Sequence, residues 1–539
     1  MKALTASEMQ EVDRLTTERF GVPGHQLMEA AGKSVAEVFL EQYGYKNAEP
    51  PGRIAVLCGK GNNGGDGFVA ARYLKEEAEQ VDVYLFTRPE ELRGDAAGNL
   101  ERWRQQGGSL TTLETEQDWE KAWADISGAE VIVDALLGIG LRGGASGLIA
   151  QAIEDVNRLT CGATAARPAW VVAVDTPSGL PSDGQEAGGP VMKAHWTVTF
   201  TAPKIGQLIS GDAGSCGQLA VRGIGSPLAL IEEVGEGSLR WAGADEFGGL
   251  PLLRSQEAHK GSYGHLLLVA GSTGKTGAAV LAGESALRGG AGLVTIATPE
   301  PALPVIAGSR AEYMTEGLPA TAEGTLAGVG IRSGKCAQML RGKTVLAMGP
   351  GLGQPAETQE FIRRAVAEVE LPMILDADGL NAFAGQAALL GKRRAKFLVV
   401  TPHPGEMSRL LGRTIAQVQQ DRLKTAVEAA RSWNAHVVLK GFHTIVAAPN
   451  GQVFVNTTGN PGLAKGGSGD VLTGLLGALI AQFGTDDLLR IVALGVYLHG
   501  RAADLLAEQS DASGMLAGEV AQAIPYARRK LLEELQALG

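Results

Sequence analysis

Short apolar runs of strand length alternate with helical patterns along most of this 539-residue chain. Such alternation predicts an α/β fold in which helices cover both faces of a parallel sheet. In the first half, the predicted strands are residues 53–58, 81–86, 131–135 and 170–175. Ligands of such sheets bind at the carboxyl ends of the strands, so we expect the functional residues in the turns that follow them.

The alternation is interrupted once, between about residues 223 and 259, where glycines and acidic residues replace it. A second series of predicted strands then comprises residues 265–270, 293–297, 345–348, 373–376, 397–401 and 437–440. A chain of this length exceeds what one hydrophobic core usually supports. We therefore predict two α/β domains, residues 1–224 and 255–539, joined by a linker of residues 225–254.

Composition argues against several classes of partner. The net charge of −11 disfavours nucleic acid as the main ligand. The sequence has no apolar run of about 18 residues that could span a membrane, and its first residues lack an apolar signal core. Cys58, Cys161, Cys216 and Cys336 lack metal-binding spacing, so we predict reduced thiols in a cytoplasmic protein.

Three polar turns follow predicted strands of the first half: residues 59–67, 134–140 and 175–179. The first has the strand–turn–helix context of a phosphate or dinucleotide loop, although it departs from the usual GxGxxG pattern. Its amide and carboxylate oxygens, with Asp134 and Ser178, suit a hard cation. Alternatively, Asp134 and Asp175 only form turns. Three such motifs at successive strand ends argue against that interpretation.

These motifs, Asn62-Asn-Gly-Gly-Asp66 above all, resemble the signature of NAD(P)H-hydrate epimerases, and Lys204 lies in a segment typical of them. The resemblance covers about residues 1–222. It implies a Rossmann-like domain that interconverts the R and S forms of hydrated NADH and NADPH (NADHX and NADPHX).

The resemblance also implies individual roles. Asn63, Asp134 and Ser178 would hold a potassium ion (K⁺), and Asp175 is the candidate acid or base at the hydrated carbon. The implied substrate-binding residues are Asn62, Asn63, Gly64, Gly65, Asp66, Gly138, Ile139, Gly140, Leu141, Arg142, Gly143, Gly144 and Asp175.

The second half contains a glycine-rich turn, Gly459-Asn-Pro-Gly-Leu-Ala-Lys-Gly-Gly-Ser-Gly-Asp470, which runs into an apolar helix. Glycines allow positive φ and bring backbone N–H groups close to a ligand, and the helix directs its positive end at the same place. The pattern predicts a phosphate site. Asp470 would repel phosphate, which favours a role as the base that deprotonates an attacking hydroxyl. The alternative is a helix N-cap.

Residues 255–539 resemble the ADP- or ATP-dependent NAD(P)H-hydrate dehydratases, whose fold is ribokinase-like. Family members often carry Thr where this chain has Lys465 and Ser468, but the glycines and Asp470 are kept. The implied nucleotide-binding residues are Lys440, Gly441, Phe442, His443, Thr444, Gly466, Gly467, Ser468 and Gly469. The implied residues at the hydrated cofactor are Ala278, a glycine of the pair Gly351 and Gly353, His403 and Asp470.

Together, these resemblances predict a bifunctional repair enzyme for hydrated nicotinamide cofactors. Its second domain would dehydrate the S form with a nucleotide, ADP rather than ATP, and with Mg²⁺ on the phosphates. We also expect a homo-oligomer. Two alternatives are a small-molecule kinase with an accessory, non-catalytic N-terminal domain, and a binding module without catalysis. The intact motifs of both halves argue against each.

Overall fold

The computed structural model describes residues 1–46, 49–140, 143–161, 169–328 and 334–538. Their backbone forms two compact units, residues 1–239 and residues 240–539. Each unit is built on its own mainly parallel sheet with helices between the strands, which confirms the predicted α/β class.

Seven strands form the sheet of the first unit: β1 (Arg53–Cys58), β2 (Gln80–Leu85), β3 (Ser109–Thr112), β4 (Val131–Ala135), β5 (Trp170–Val174), β6 (Trp196–Phe200) and β7 (Gln218–Arg222). They are parallel, in the order β3-β2-β1-β4-β5-β6-β7. The order reverses between β1 and β4, and a crevice for ligands forms at such a point.

The helices of this unit are α1 (Ala6–Phe20), α2 (Gly24–Lys46), α3 (Asn62–Leu74), α4 (Gly94–Gln105), α5 (Glu116–Ser127), α6 (Gly147–Cys161), α7 (Ile205–Ile209) and α8 (Leu228–Val234). One apolar layer, which includes Phe68 and Trp103, covers one face of the sheet. A second layer, which includes Trp119 and Ile153, covers the other.

The sequence interpretation was wrong about the start of α3. It treated residues 59–67 as a turn before the helix, whereas the helix begins at Asn62. Glycine is a poor helix former, so the glycines at the start of α3 concealed its first turns in the sequence. Packing stabilises them instead: a Cβ on Gly64 would lie 2.0 Å from the carbonyl oxygen of Gly59. The sequence interpretation also missed β3, β6 and β7.

Ten strands form the second sheet: β8 (Leu239–Trp241), at the boundary between the units, β9 (His265–Val269), β10 (Leu293–Pro299), β11 (Met314–Leu318), β12 (Val345–Met348), β13 (Met373–Leu375), β14 (Leu398–Val400), β15 (His436–Leu439), β16 (Thr444–Ala447) and β17 (Val453–Asn456). Their order is β11-β10-β9-β12-β13-β14-β15-β16-β17-β8. The pairs from β11 to β15 are parallel, and β16 is antiparallel to both neighbours. Here the order reverses between β9 and β12.

The helices of the second unit are α9 (Thr276–Arg288), α10 (Leu303–Ala307), α11 (Gly334–Met339), α12 (Ala356–Glu368), α13 (Asp378–Asn381), α14 (Pro404–Leu411), α15 (Ile415–Gln420), α16 (Arg422–Trp433), α17 (Ser468–Phe483), α18 (Leu488–Ala507) and α19 (Ala517–Leu538). Helix α17 lies in the core, where every residue from Val471 to Ile480 is buried. At Gly474 it touches α9, because a Cβ there would lie 1.9 Å from the carbonyl oxygen of Ala282.

Helix α17 begins at Ser468, within the stretch that the sequence interpretation treated as a turn up to Asp470. Its N-cap is Gly467, with φ of 96° and no side-chain capping bond. Asp470 therefore lies inside the first turn, and the alternative that it caps the helix is wrong. The reason is the positive φ of Gly467, which ends the glycine-rich turn earlier than the apolar pattern indicates.

The stretch that we treat as a linker, residues 225–254, is partly ordered into elements of both units. Helix α8 buries Leu230 and Ile231 against Leu4 and Val12 of the first unit. Strand β8 joins the second sheet, and the division between the units falls within it. Whether the two activities also divide there stays a prediction.

Within the described ranges, no helix has both the length and the apolarity to cross a membrane. Cys58, Cys216 and Cys336 are buried and form no disulfide among the described residues, whereas the side chain of Cys161 lies outside the described part of the chain.

Candidate active sites

A cavity of about 980 Å³ lies in the first unit, at the carboxyl ends of β1 and β4 where the strand order reverses. The predicted substrate-binding residues that line it are Asn62, Asn63, Asp66, Gly138, Ile139, Gly140 and Asp175. They come from the first turns of α3 and from the segments after β4 and β5. The structure thus brings together three motifs that are far apart in the sequence.

The other predicted residues lie elsewhere. Gly64, Gly65 and Gly144 are packed against neighbouring chain; a Cβ on Gly144, for example, would lie 2.1 Å from the backbone of Gly188. Gly143 is exposed. Leu141 and Arg142 lie outside the described residues.

The predicted K⁺ ligands Asn63, Asp134 and Ser178 form one hydrogen-bonded group. Ser178 donates to Asp134 from its backbone N at 2.8 Å and from Oγ at 2.5 Å. The N–H of Leu137 donates to Ser178 Oγ at 2.9 Å, and Asn63 Nδ2 donates to the carbonyl oxygen of Leu137 at 3.0 Å. Since Leu137 lines the cavity, the group lies at its wall.

Asp134 is fully buried, and burial raises its pKa to about 6, although hydrogen bonds from Ser178 and Leu136 act in the other direction. Among the described residues, no lysine or arginine shifts the pKa of Asp134. A buried carboxylate without a cationic partner is costly. One carboxylate surrounded by neutral oxygens fits a monovalent cation, and no described cluster of three or more His, Cys, Asp or Glu residues could hold a metal.

The backbone of Asp175 has an uncommon conformation, with φ of 60°. The buried Lys204 donates from Nζ to Asp175 Oδ1, and at 2.8 Å to Thr199 Oγ1. Gln207 Nε2 donates to the carbonyl oxygen of Asp175 at 2.7 Å. These bonds fix the turn after β5 and orient an ion pair toward the cavity.

Asp13 of α1 also lines this cavity, and the sequence interpretation missed it. Its Oδ1 is buried and has no hydrogen-bond partner. Burial raises the pKa of Asp13 to about 6, and it raises the pKa of Asp66 well above the usual range. Asp13 lies four residues after the buried Met9, at the edge of the buried helix face. That spacing is the one sequence signal that could have pointed to it.

In the second unit, the glycine-rich turn is fixed by polar contacts. Asp504 accepts hydrogen bonds from Gly459 N at 2.8 Å and from Asn460 Nδ2 at 3.0 Å. Lys465 donates to the carbonyl oxygen of Ser513 at 3.0 Å and thereby anchors the turn. The turn leads to the start of α17, where the first N–H groups lack intrahelical acceptors and suit an anion.

Asp470 lies beside a buried pair formed by Asp376 and Lys440. Lys440 Nζ donates to Asp376 Oδ1 at 2.8 Å, and Thr473 Oγ1 donates to Asp376 Oδ2 at 2.8 Å. Burial, followed by the negative charge of Asp376, raises the pKa of Asp470 to about 7 against the opposing effect of Lys440. A carboxyl group with a pKa near neutrality is suited to general-base catalysis.

His403 is the N-cap of α14 and contacts Glu406 of that helix. His403 N donates to Glu406 Oε2 at 2.8 Å, and the ring Nε2 lies 3.5 Å from Glu406 Oε1. Glu406 also lies 3.7 Å from Lys440 Nζ. Burial lowers the pKa of His403, so its ring is mainly neutral at pH 7. The predicted substrate residue His403 and the predicted nucleotide residue Lys440 thus share a neighbour.

The loop between β15 and β16 presents two stacked rings. Phe442 and His443 have centroids 3.9 Å apart at an interplanar angle of 21°, and Phe442 is 61 % exposed. Arg422 donates to the carbonyl oxygen of Phe442. Positive φ angles at Gly441 and His443 turn the loop. An exposed aromatic surface on a fixed loop can stack on a nucleotide base.

The segments after β9 and β12 meet where the strand order of the second sheet reverses. A Cβ on Gly351 would lie 2.9 Å from the Cβ of Ala278, so these two predicted substrate residues are in contact. Gly353 N donates to Asp378 Oδ2 at 2.8 Å, and Lys275 Nζ lies 3.5 Å from the same oxygen.

The sequence interpretation placed Asp376 at the end of a strand without assigning it a role, and it overlooked Glu406. The signal for Asp376 was its place at the carboxyl end of a buried strand near the middle of the sheet. Gly469 is close to the same pair, because a Cβ there would lie 3.3 Å from Lys440 Nζ and 3.5 Å from Asp376 Oδ2.

Two family models match the chain. One described as YjeF-related protein N-terminus matches residues 24–206, and one described as NAD(P)H-hydrate dehydratase matches residues 266–526. A protein of Moorella thermoacetica named bifunctional NAD(P)H-hydrate repair enzyme is 41% identical over 538 residues, which cover 100% of this chain and 98% of that protein.

Proteins of the same name give similar matches. The protein of Thermofilum pendens is 36% identical, covering 100% of this chain and 98% of its own length. The protein of Escherichia coli is 33% identical, covering 96% and 92%. Among solved structures, an ADP/ATP-dependent NAD(P)H-hydrate dehydratase from Bacillus subtilis, co-crystallised with ATP and Mg²⁺, is 32% identical with a TM-score of 0.45, covering 54% of this chain and 98% of that one.

Proposed function

The chain belongs to the family of bifunctional NAD(P)H-hydrate repair enzymes, and from this premise we propose that it both epimerises hydrated NADH and NADPH and dehydrates their S forms with a nucleotide. The observation that carries the proposal is a carboxyl group poised for proton transfer in each unit: Asp175 on Lys204, and Asp470 beside Asp376 and Lys440.

The epimerase activity is proposed for the cavity of the first unit. A dinucleotide needs a long, partly polar crevice at a point where strand order reverses, and the cavity has that position. The N-terminal turns of α3 would bind its phosphates. Asp175, paired with Lys204, would transfer a proton at the hydrated carbon.

We propose that Asn63, Asp134 and Ser178 hold K⁺ beside this cavity. The oxygen-only donor set and the buried, uncompensated charge of Asp134 support this assignment. The ion would neutralise that charge and brace the segments after β1, β4 and β5.

The dehydratase activity is proposed for the site around Asp470. Hydroxide leaves a carbon poorly, whereas phosphate leaves well. Asp470 would remove the proton from the hydroxyl of the hydrate as that oxygen attacks the terminal phosphorus of ADP, and AMP departs. The ring nitrogen then expels phosphate, which restores NAD(P)H. The N–H groups at the start of α17 would bind the transferred phosphoryl group.

For the nucleotide we propose two contacts. Lys440, with Gly441, Phe442, His443 and Thr444, would bind its base and phosphates, and residues 466–469 would bind its terminal phosphate. Mg²⁺ usually binds nucleotide phosphates with only one or two protein carboxylates and keeps several waters. The ion would neutralise charge on the phosphates. We favour ADP over ATP on the resemblance of fused proteins. Cytoplasmic location and a homo-oligomer stay predictions.

The test uses acid-prepared hydrated NADH with the purified chain, ADP and Mg²⁺. We expect absorbance near ~340 nm to return, because the dihydropyridine ring is restored, together with equimolar phosphate and AMP. Both epimers should be consumed, since the first unit interconverts them. Asp470→Asn tests the site, and the exposed Asp487→Asn is its matched control. A stable phosphorylated product without absorbance at that band would instead identify a small-molecule kinase.

A further inference from the structure

The carboxyl groups of Asp13, Asp66 and Asp175 line the cavity of the first unit and interact electrostatically with one another and with Lys204. The cavity is also lined by Glu91, Asp95, Arg14 and Lys60. Lys204 is paired with Asp175 and also donates to Thr199 and to the carbonyl oxygen of Phe200. Burial and neighbouring carboxylates disfavour the ionised form of a carboxyl group, and they raise the pKa of both Asp13 and Asp66. These two groups are therefore the candidates for a protonated carboxyl in the cavity.

Asp13 differs from Asp66 and Asp175 because one of its carboxyl oxygens is buried without accepting a hydrogen bond. Its Oδ1 is shielded from solvent yet has no hydrogen-bond partner in the described structure. Buried polar atoms are almost always paired, and an orphaned one at a cavity wall is suited to pairing with a bound molecule. It lies on α1, upstream of the residues matched by the N-terminal family model.

We propose that Asp13 is a catalytic residue of the epimerase, the proton donor that acts on the hydroxyl of the hydrated nicotinamide ring opposite to Asp175. This inference rests on the proposed epimerase function and adds a second proton-transfer group to it. Inversion by loss and re-addition of water is accelerated by an acid on the face that the water leaves and a base on the face that the new water enters.

In the proposed reaction, water leaves one face of the ring and another water adds to the opposite face. The lone pair of the ring nitrogen forms a double bond to the hydrated carbon as the carbon–oxygen bond breaks, and the Asp13 carboxyl gives its proton to the departing oxygen, which leaves as water. The carbon is then planar. A water molecule adds to the opposite face and gives a proton to the Asp175 carboxylate. Proton exchange with solvent returns both groups to their starting states, so no water, electron or metal is consumed overall.

The surroundings of Asp13 favour its protonated form. Burial, and with it the negative charge of Asp175, raises the pKa of Asp13 to about 6 against the opposing effect of Lys204. Asp66 faces the same space from α3. On α8, which packs against α1, Glu232 contacts Lys2, and Glu233 pairs with Arg19. Asp175, in contrast, is held as an ion pair with Lys204.

The test is Asp13→Asn in the full chain, assayed for inversion of a purified R hydrate by chromatography. We expect kcat for epimerisation to fall about 10²–10⁴-fold, with KM changed little. In the wild type, kcat/KM should fall as pH rises, with a midpoint near the pKa of Asp13. This fall should be absent from Asp13→Asn. Asp13→Glu, which keeps a carboxyl group, should restore part of the rate with that pH dependence. The matched control is Asp125→Asn, an exposed aspartate of the same unit.

Folding and chemistry are separated by a melting curve. Asn is isosteric and removes a buried, unpaired charge, so the variant should melt at or above the wild-type temperature at pH 8. Asp13→Asn could lose both epimerisation rate and thermal stability, with neither restored in Asp13→Glu. That result would assign Asp13 a structural role and overturn the inference. Normal epimerisation by a folded Asp13→Asn would overturn it as well.

A solvent isotope experiment tests the chemical step. In water enriched in ¹⁸O, every wild-type inversion should replace the hydroxyl oxygen with solvent oxygen. Inversion that keeps the original oxygen would exclude carbon–oxygen cleavage and with it the role of Asp13. Absence of any epimerisation by the wild-type chain would be a different result, because it would overturn the proposed epimerase function itself.

Discussion

Thr473 on α17 donates its hydroxyl hydrogen to Asp376 across 2.8 Å and thereby ties the first turns of that helix to the end of β13. Asp376 is 1 % exposed and accepts a second hydrogen bond from Lys440, also at 2.8 Å. The candidate base Asp470 lies three residues before Thr473, so its carboxyl group is held near a fixed negative charge. The position and the proton affinity of Asp470 therefore depend on a residue outside the glycine-rich turn.

The first prediction concerns Asp376→Asn. The charge of Asp376 raises the pKa of Asp470, so its removal should lower that pKa. Dehydration requires ionised Asp470 and should increase with pH through its pKa, which is about 7 in the wild type. In the variant, the midpoint of kcat against pH should move to lower pH, and the plateau should fall because a weaker base remains.

The control for this prediction is Asp487→Asn, an exposed residue of the same unit that pairs with Arg490. It should leave the pH profile of dehydration where it is. A profile of Asp376→Asn that coincides with the wild type would mean that Asp376 does not control the charge of Asp470.

The second prediction concerns Asp134→Ala. Removing this carboxylate from the candidate K⁺ site should weaken epimerisation and its dependence on K⁺, while dehydration of the S form continues. The measurement is the epimerisation rate over a series of K⁺ concentrations at constant ionic strength. Asp125→Ala is the matched control. Equal loss of both activities would indicate misfolding, and unchanged epimerisation would remove Asp134 from the site.

The sequence predicted the fold class where the hydrophobic pattern is strong. Buried strands such as β1 and β12 were located within a residue, because a strand covered on both faces is apolar throughout. Polar or edge strands, such as β3 with its sequence Ser-Leu-Thr-Thr, gave no such pattern and were missed. Helix starts that contain glycine, in α3 and α17, were missed because tertiary packing overrides intrinsic propensity there.

The candidate sites divide in the same way. Residues inside a local motif, such as Asn63 and Asp470, could be proposed from the sequence. Asp13 and Asp376 could not, because each joins its site through the folding of distant segments. No sequence spacing relates Thr473 to Asp376 or Asp13 to Lys204; the topology of each sheet determines these neighbours.

The third prediction concerns the division of the chain. Residues 1–239 and 240–539 should each fold and unfold cooperatively, as the two compact units suggest. A fragment that ends at residue 222 lacks α8 and exposes the surface that Leu230 and Ile231 cover. At roughly 1.5–3 kcal/mol for each buried side chain, the shorter fragment should be about 3–6 kcal/mol less stable than residues 1–239. Urea unfolding measures the difference, and equal stabilities would contradict the role of α8.

The last prediction concerns Asp470→Asn. The variant should fold, because Gly467 and not Asp470 caps α17. An aspartate whose pKa is raised to about 7 in the fold, from about 3.9 in an unfolded chain, loses stability as pH rises between those values. Asn carries no such charge, so above pH 7 the variant should be more stable than the wild type by up to about 4 kcal/mol. Thermal unfolding at pH 5 and pH 8 measures this effect.

The same variant should fail in dehydration. Asn cannot accept the hydroxyl proton, and loss of a general base typically lowers the rate about 10²–10⁴-fold. Nucleotide binding should persist or tighten, since backbone N–H groups at the start of α17 remain and a negative charge beside the phosphates is gone. Epimerisation depends on the other unit and should be unchanged. The variant would equilibrate the two epimers of hydrated NADH without regenerating NADH, and near-normal dehydration would show that Asp470 is not the base.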